Sequence, residues 1–111
     1  MKIDNFQRTM FSLITLKEIA MTGGTLTYSG LGSEVGMGRR SYGAALDGVY
    51  NACVALGLPD LTALVVYKHN GRVGPGFFGT EEQAEYAREQ CYRWATGRSF
   101  VAADADRYQA A

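Results

Sequence analysis

The segment of residues 25–78 constrains the fold most, because strand-forming, helix-forming and glycine-rich stretches alternate along it at short intervals. The β-branched and large residues at positions 25–28 favour a short extended segment. Ser29 is suited to be the N-cap of a short helix, which we predict over residues 29–36. The glycines of the run Gly36–Gly38 predict a turn, since glycine adopts a positive φ at little cost. The segment thus begins as strand, short helix and turn.

A longer helix is predicted next, over residues 39–56. Its apolar residues recur at the spacing of a core-facing helix stripe: Tyr42, Leu46, Val49, Tyr50, Cys53 and Leu56. Gly57 and Pro59 follow, and both residue types end helices. Two helices joined by a short glycine-containing turn are typical of a helix-turn-helix.

A two-stranded wing is predicted after this pair of helices. Residues 61–67 are rich in strand formers, and their apolar run indicates a well-covered strand. The dipeptide Asn70-Gly71 predicts a tight type I′ turn. We expect the residues after Gly71 to return antiparallel to 61–67. A helix-turn-helix followed by such a hairpin is a winged helix, of fold class α+β.

The flanking sequences predict one helix on each side. The first begins at Asp4 or Asn5 and runs to about Met21, with apolar residues on two of its sides. One side is expected to pack on the core; the second, if nothing in the monomer covers it, is a surface for a homodimer. Thr80 begins a capping box for a last helix that ends near Gly97. The chain is therefore predicted to be a single winged-helix-like domain, residues 1–111, with an added N-terminal and C-terminal helix.

Two phrases of the sequence resemble known proteins. The pattern T-Y-x-x-L-x-x-x-x-G from Thr27, an Arg-containing second helix and a glycine-containing hairpin together resemble the winged-helix half of alkylguanine-DNA alkyltransferase-like proteins. The resemblance covers about residues 25–78 and implies a DNA-binding shape. It does not extend to that family's chemistry, because the run Leu58–Leu61 stands where the family has a reactive cysteine. The phrase from Gly57 to Phe77 resembles small bacterial and phage proteins without an assigned activity.

Charge and composition restrict the function classes. The 111 residues carry 11 basic and 11 acidic side chains, so the formal net charge is zero. Residues 36–79 are mildly basic and residues 80–111 mildly acidic, which favours nucleic-acid binding only weakly. No apolar run approaches the roughly 18 residues of a membrane span. The N-terminus lacks the apolar core of a signal peptide, so we expect a cytoplasmic protein without a membrane partner.

The candidate binding residues lie at the start of the second helix and on the hairpin. In helix-turn-helix proteins the first residues of the second helix contact base edges, and arginine pairs well with guanine. The hairpin could contact an adjacent groove or the DNA backbone. The predicted site consists of Arg39, Arg40, Ser41, Tyr42, Lys68, His69, Asn70 and Arg72.

No catalytic residue, metal site or cofactor is predicted. His69 is the single histidine and has no ligand-spaced Cys, Asp or Glu beside it. Cys53 and Cys91 lie on apolar helix stripes, which predicts buried, unpaired thiols. Two ligands remain open for this non-enzymatic protein: duplex DNA, or a host protein complex that a phage-type inhibitor (anti-defence or anti-CRISPR) would cap. Exposed Tyr, Phe and Arg side chains would be the anchors of the second alternative.

Overall fold

The structure, a computed structural model, describes residues 5–35, 42–74 and 76–103. It is a mixed fold of four α-helices, one 3-10 helix and a small parallel sheet within those residues. In chain order the elements are α1 (Asn5–Thr22), β1 (Leu26–Thr27), α2 (Tyr28–Val35), α3 (Tyr42–Leu56), the 3-10 helix Leu61–Leu64, β2 (Val65–Val66) and α4 (Glu81–Ala95).

The core is formed where α1, α3 and α4 meet around the 3-10 helix. Every large helix contributes fully buried apolar side chains to it, among them Leu16, Leu31, Leu46 and Cys91. A smaller cluster of Ala63, Phe77, Ala84 and Ala87 lies between the 3-10 helix and α4. Burial of these apolar surfaces, at roughly 25 cal/mol per Å², is the main force that holds the elements together.

The two strands of the sheet are parallel, so the predicted antiparallel hairpin sheet is not confirmed. Leu26 pairs with Val65 and Thr27 pairs with Val66. β2 therefore pairs with the strand that precedes α2. Its contact with the residues that follow Gly71, which we call the return segment, is a single antiparallel bridge between Val66 and Val73. The sequence offered no signal for the parallel pairing, because the two partners are far apart along the chain.

Residues 61–64 form a 3-10 helix, although we predicted a strand over 61–67. The buried Asp60 is the physical reason, because its carboxylate accepts hydrogen bonds from the backbone N–H (3.1 Å) and the hydroxyl (2.5 Å) of Thr62. This local capping offers the backbone an alternative to a sheet ladder. The predicted burial is confirmed, since all residues from Leu61 to Val66 are buried.

The turn after β2 also differs from the type I′ geometry predicted for Asn70-Gly71. Gly71 has a φ of +68°, and no non-glycine residue in the described part of the chain has a positive φ. A type I′ turn needs two positive φ values. Instead, the Gly71 N–H donates to the Tyr67 carbonyl (2.9 Å), and the Asn70 side chain accepts from the Arg72 N–H (3.0 Å). The loop is therefore wider than a two-residue hairpin.

Several helix ends follow the predictions. The capping box formed by Thr80 and Gln83 is present, and α4 begins at Glu81, directly after the Thr80 cap. α2 begins earlier than predicted, because the Thr27 hydroxyl, rather than that of Ser29, accepts the N–H of Gly30 at 3.0 Å. The predicted turn at residues 36–38 lies outside the described residues.

The exposed surface of the helices differs from the prediction at Leu56, and it includes the second apolar side of α1 that we named as a conditional dimer surface. Leu56, which we assigned to the buried stripe of α3, is 66% exposed at the end of that helix. α1 buries Ser12, Leu16 and Ala20 but leaves its second apolar side exposed. Among the described residues, no helix combines the length and the apolar character that crossing a membrane requires.

Candidate binding surface

The residues that follow β2 form a projecting loop, Tyr67–Arg72, which we call the basic turn. Its Lys68, His69, Asn70 and Arg72 side chains are all exposed. The loop is closed by two backbone hydrogen bonds of 2.9 Å, from the Tyr67 N–H to the Arg72 carbonyl and from the Gly71 N–H to the Tyr67 carbonyl. The backbone of the turn is thus fixed by its own hydrogen bonds, while its polar side chains point outward.

Tyr28, at the start of α2, anchors the turn from one side. Its hydroxyl accepts the N–H of Gly74 at 3.0 Å, and its ring lies 5.2 Å from that of Tyr67, centroid to centroid. Burial raises the pKa of Tyr28 above its ordinary value of 10.0, although hydrogen bonds from Gly76 and Gly74 oppose that shift. The phenol therefore stays neutral at physiological pH, and its hydroxyl is a fixed hydrogen-bond acceptor for the return segment.

Glu81, at the start of α4, anchors the turn from the other side. One carboxylate oxygen accepts the Val73 N–H at 3.1 Å, and the other lies 3.0 Å from the guanidinium of Arg88. Arg88 in turn donates through Nε to the Ala63 carbonyl at 2.8 Å. Burial favours the neutral acid, but the hydrogen bond from Val73 and the interactions with Arg88 and Arg72 outweigh it and lower the pKa of Glu81.

The return segment also lies against the first turns of α3. Gly76 approaches Leu46 so closely that a Cβ at position 76 would overlap the leucine side chain. Gly74 is similarly close to Tyr28 and to the ring of Tyr67. Glycine permits these approaches because it has no side chain. The segment after the turn and the second turn of α3 are therefore neighbours at Gly76 and Leu46.

The structure brings together half of the predicted site residues. Lys68, His69, Asn70 and Arg72 all lie on the basic turn, with the rings of Tyr67 and His69 5.4 Å apart. Arg39, Arg40 and Ser41 lie outside the described residues. Tyr42 is the first described residue of α3, and its side chain also lies outside the described part.

The cations of the turn differ in their surroundings. Within the described ranges Lys68 belongs to neither of the ion pairs Arg88–Glu81 and Arg93–Glu89, whereas Arg72 is close enough to Glu81 to help lower the pKa of that carboxyl. The exposed charge on α3 is different in sign, because residues 42–56 include Asp47 and no Lys or Arg. Over residues 36–74 the cationic side chains are therefore confined to Arg39 and Arg40 before α3 and to Lys68 and Arg72 on the turn.

Sequence reasoning missed Tyr28 and Glu81 as supports of this surface. Tyr28 falls in the extended segment that we predicted over residues 25–28, and Glu81 follows the Thr80 cap of the predicted last helix. Their hydrogen bonds to Gly74 and Val73 span 46 and 8 residues respectively. Glu81 had a weak signal, since an acid at a helix start can also reach the chain that enters the helix. Tyr28 had none.

The two thiols are buried and unpaired, as predicted. Burial raises the pKa of Cys53 to about 12 and that of Cys91 well above its ordinary value. The Cys91 thiol donates to the Asp60 carbonyl at 3.3 Å. Because the thiolate is the nucleophilic form, these environments suppress thiol chemistry at neutral pH. Among the described residues, no group of three His, Cys, Asp or Glu side chains could hold a metal ion.

A shallow groove of about 420 Å³ lies between α4 and the segment that follows it. The Gln90 side chain shapes it by accepting the Val101 N–H at 2.8 Å. Tyr86 and Val101 are 46% and 50% exposed at its sides, and Arg93 contributes a cation. The groove offers apolar contacts and the Arg93 guanidinium, which is paired with the Glu89 carboxylate at 3.2 Å.

Comparisons with known proteins give no match for the chain, whether with protein-family models, curated protein sequences or solved structures.

Proposed function

We propose that the protein is a non-enzymatic DNA-binding protein of winged-helix type. The basic turn would act as the wing, and the N-terminal end of α3, with Arg39 and Arg40 before it, would face the major groove. The observation that carries this proposal is the basic turn itself, which exposes Lys68 and Arg72, while the segment that follows it lies close to α3 where Gly76 meets Leu46. Cations on a fixed backbone suit phosphate contacts, which position a protein on a duplex.

The charge distribution limits which part of the surface can face DNA. The exposed side of α3 carries Asp47 and no cation over residues 42–56, so deep insertion of the whole helix into a groove is disfavoured. Contact through the helix start and the turn avoids that repulsion. The resemblance to the winged-helix half of the alkyltransferase-like proteins is consistent with this docking mode and supplies no chemistry.

A salt titration of duplex binding tests the proposal. Three to four phosphate contacts predict that log K falls against log salt with a slope of about −3, since each contact releases just under one counterion. Lys68→Ala or Arg72→Ala should flatten the slope by about one unit. Arg98→Ala, which removes an exposed cation beyond the end of α4, is the matched control and should leave the slope unchanged.

The Arg39→Ala/Arg40→Ala double variant is expected to weaken duplex binding strongly. Absence of wild-type binding at ~50 mM salt, where electrostatic binding is strongest, would eliminate the DNA proposal. If wild type binds the duplex but neither turn substitution changes the salt slope, the basic turn does not contact the DNA phosphates.

A second candidate is a protein-binding inhibitor of the phage type, which would cap a host complex. The groove beside α4 favours it, because Tyr86, Arg93 and Val101 surround a shallow apolar depression and tyrosine and arginine are frequent interface anchors. Under this proposal Tyr86→Ala would cost more affinity for the partner than Lys68→Ala. Turn substitutions would slow association at low salt and leave dissociation nearly unchanged.

A further inference from the structure

The exposed side of α1 carries a stripe of large apolar side chains. Phe6, Met10, Ile14 and Met21 are 72%, 41%, 53% and 58% exposed, and we call these four residues the α1 stripe. At 3.6 residues per turn they lie within about 80° of arc and extend over about 22 Å of helix. The buried Ser12, Leu16 and Ala20 are centred about 120° from the stripe, so α1 has two distinct apolar sides and can pack on both.

The size of the stripe is that of half an interface. With Phe11, which is 45% exposed beside it, the five side chains leave on the order of 500 Å² of apolar surface, at roughly 200 Å² for each large side chain. Such a patch lies near the upper end for monomeric proteins. Two copies would bury on the order of 1,000 Å² from these residues alone, and the polar neighbours bring the total into the range of specific interfaces.

We propose that the α1 stripe is a dimerisation surface that pairs with the α1 stripe of a second copy in antiparallel orientation. A two-fold interface requires one patch that is complementary to itself, which the stripe provides about its midpoint. The midpoint between Phe6 and Met21 coincides with the midpoint between Met10 and Lys17, just before Ile14. An antiparallel pair centred there places Phe6 against Met21 of the second copy at both ends.

Lys17 determines the orientation. It lies within the arc of the stripe, about 20° from Phe6 and from Met10 in helical projection, and its ammonium group is 5.7 Å from the centre of the Trp94 ring on α4, a contact that holds the charge toward α4. A parallel pair would place the two Lys17 residues side by side, and like charges repel. The antiparallel pair separates them and places each opposite Met10. The opposed helix dipoles add to the same preference.

Sedimentation analysis of the purified protein tests the dimer. We expect a species of twice the 12.1 kDa chain mass at ~100 µM protein. Ile14→Glu should raise the dissociation constant on the order of a hundredfold, because it places two charges in the apolar seam. Phe6→Ala, a milder change at a 72% exposed position, should weaken the dimer without affecting the fold. Leu56→Glu, the same type of change at another exposed leucine, is the control and should remain dimeric.

Disulfide trapping tests the orientation. Mixing Phe6→Cys and Met21→Cys chains under mild oxidation should yield chiefly the mixed disulfide, since the native cysteines are buried. A wild-type monomer at ~100 µM, or an Ile14→Glu variant that remains dimeric, would overturn the proposal. Preferential Phe6→Cys self-pairing would overturn the antiparallel arrangement. No DNA is present in either measurement, so both results are independent of the function proposed above.

Discussion

Replacement of Glu81 tests how the basic turn is held against α4. Its carboxylate accepts the Val73 N–H at 3.1 Å and pairs with Arg88 at 3.0 Å, and the side chains of Arg88 and Glu81 are 12% and 20% exposed. A hydrogen bond to a charged group contributes about 1.5–3 kcal/mol. The ion pair is largely shielded from water, so loss of its anion also leaves the guanidinium of Arg88 under-satisfied.

The expected cost of Glu81→Ala is therefore about 2–3 kcal/mol in the free energy of unfolding at pH 7. Glu81→Gln should cost about half as much, because its amide oxygen still accepts the Val73 N–H but carries no charge. Urea denaturation measures both values, and amide exchange at Val73 reports whether the anchor itself is released. Glu82→Ala, an exposed acid at the next position of the same helix, is the control and should cost less than about 0.5 kcal/mol.

The pH dependence of the Glu81 effect has a definite sign. Because the folded protein lowers the pKa of Glu81, its stabilising contribution is complete above the ordinary pKa of 4.5. It is lost as the pH falls through the lower, folded-state pKa. The stability difference between wild type and Glu81→Gln should thus be constant at neutral pH and shrink in acid. A difference that grows in acid, or Glu81→Ala and Glu82→Ala variants of equal stability, would refute this account of the anchor.

Two further predictions concern the core. Asp60→Ala should destabilise the protein by about 3 kcal/mol in urea denaturation, because it leaves the Thr62 N–H and hydroxyl without their buried acceptor. A cost below about 1 kcal/mol would contradict the capping role of Asp60. Cys53 and Cys91 should react with a thiol reagent only as fast as the protein opens, since both are buried with raised pKa values; rapid labelling of both in the native protein would contradict their burial.

The predictions that were confirmed rest on local signals. The capping box at Thr80, the extent of α1 and α4, and the burial of the run 61–66 all follow from patterns within one or two turns of chain. Such patterns act through backbone geometry and apolar periodicity, which a single sequence displays directly. The helix ends at Gly57 and Gly97, both with positive φ, belong to the same group.

The predictions that were wrong concern segments for which two local conformations have similar free energies. Residues 61–64 have strand propensity, yet the buried Asp60 converts them to a 3-10 helix by a side-chain hydrogen bond. β2 then pairs in parallel with β1, and among the described residues its antiparallel pairing with the residues after Gly71 is a single bridge between Val66 and Val73. Strand propensity reports fit to a covered, pleated surface, and it does not specify the partner strand.

The candidate site was predictable only in part for the same reason. The exposed polar residues of the basic turn could be read from the Asn70-Gly71 signal, although the turn type could not. Its supports, Tyr28 and Glu81, act through contacts set by the tertiary structure. The exposed side of α1 was predicted as a conditional dimer surface, and only the packing of α1 could show that the side is not covered.

The most direct test of the proposed binding surface is the amide NMR spectrum of the labelled protein titrated with a short duplex at low salt. We predict that the largest shifts fall on residues 68–72 and on the first turn of α3. The groove residues Tyr86, Arg93 and Val101 should remain unaffected. Shifts concentrated at that groove, or no shifts at saturating duplex, would contradict DNA binding through the basic turn.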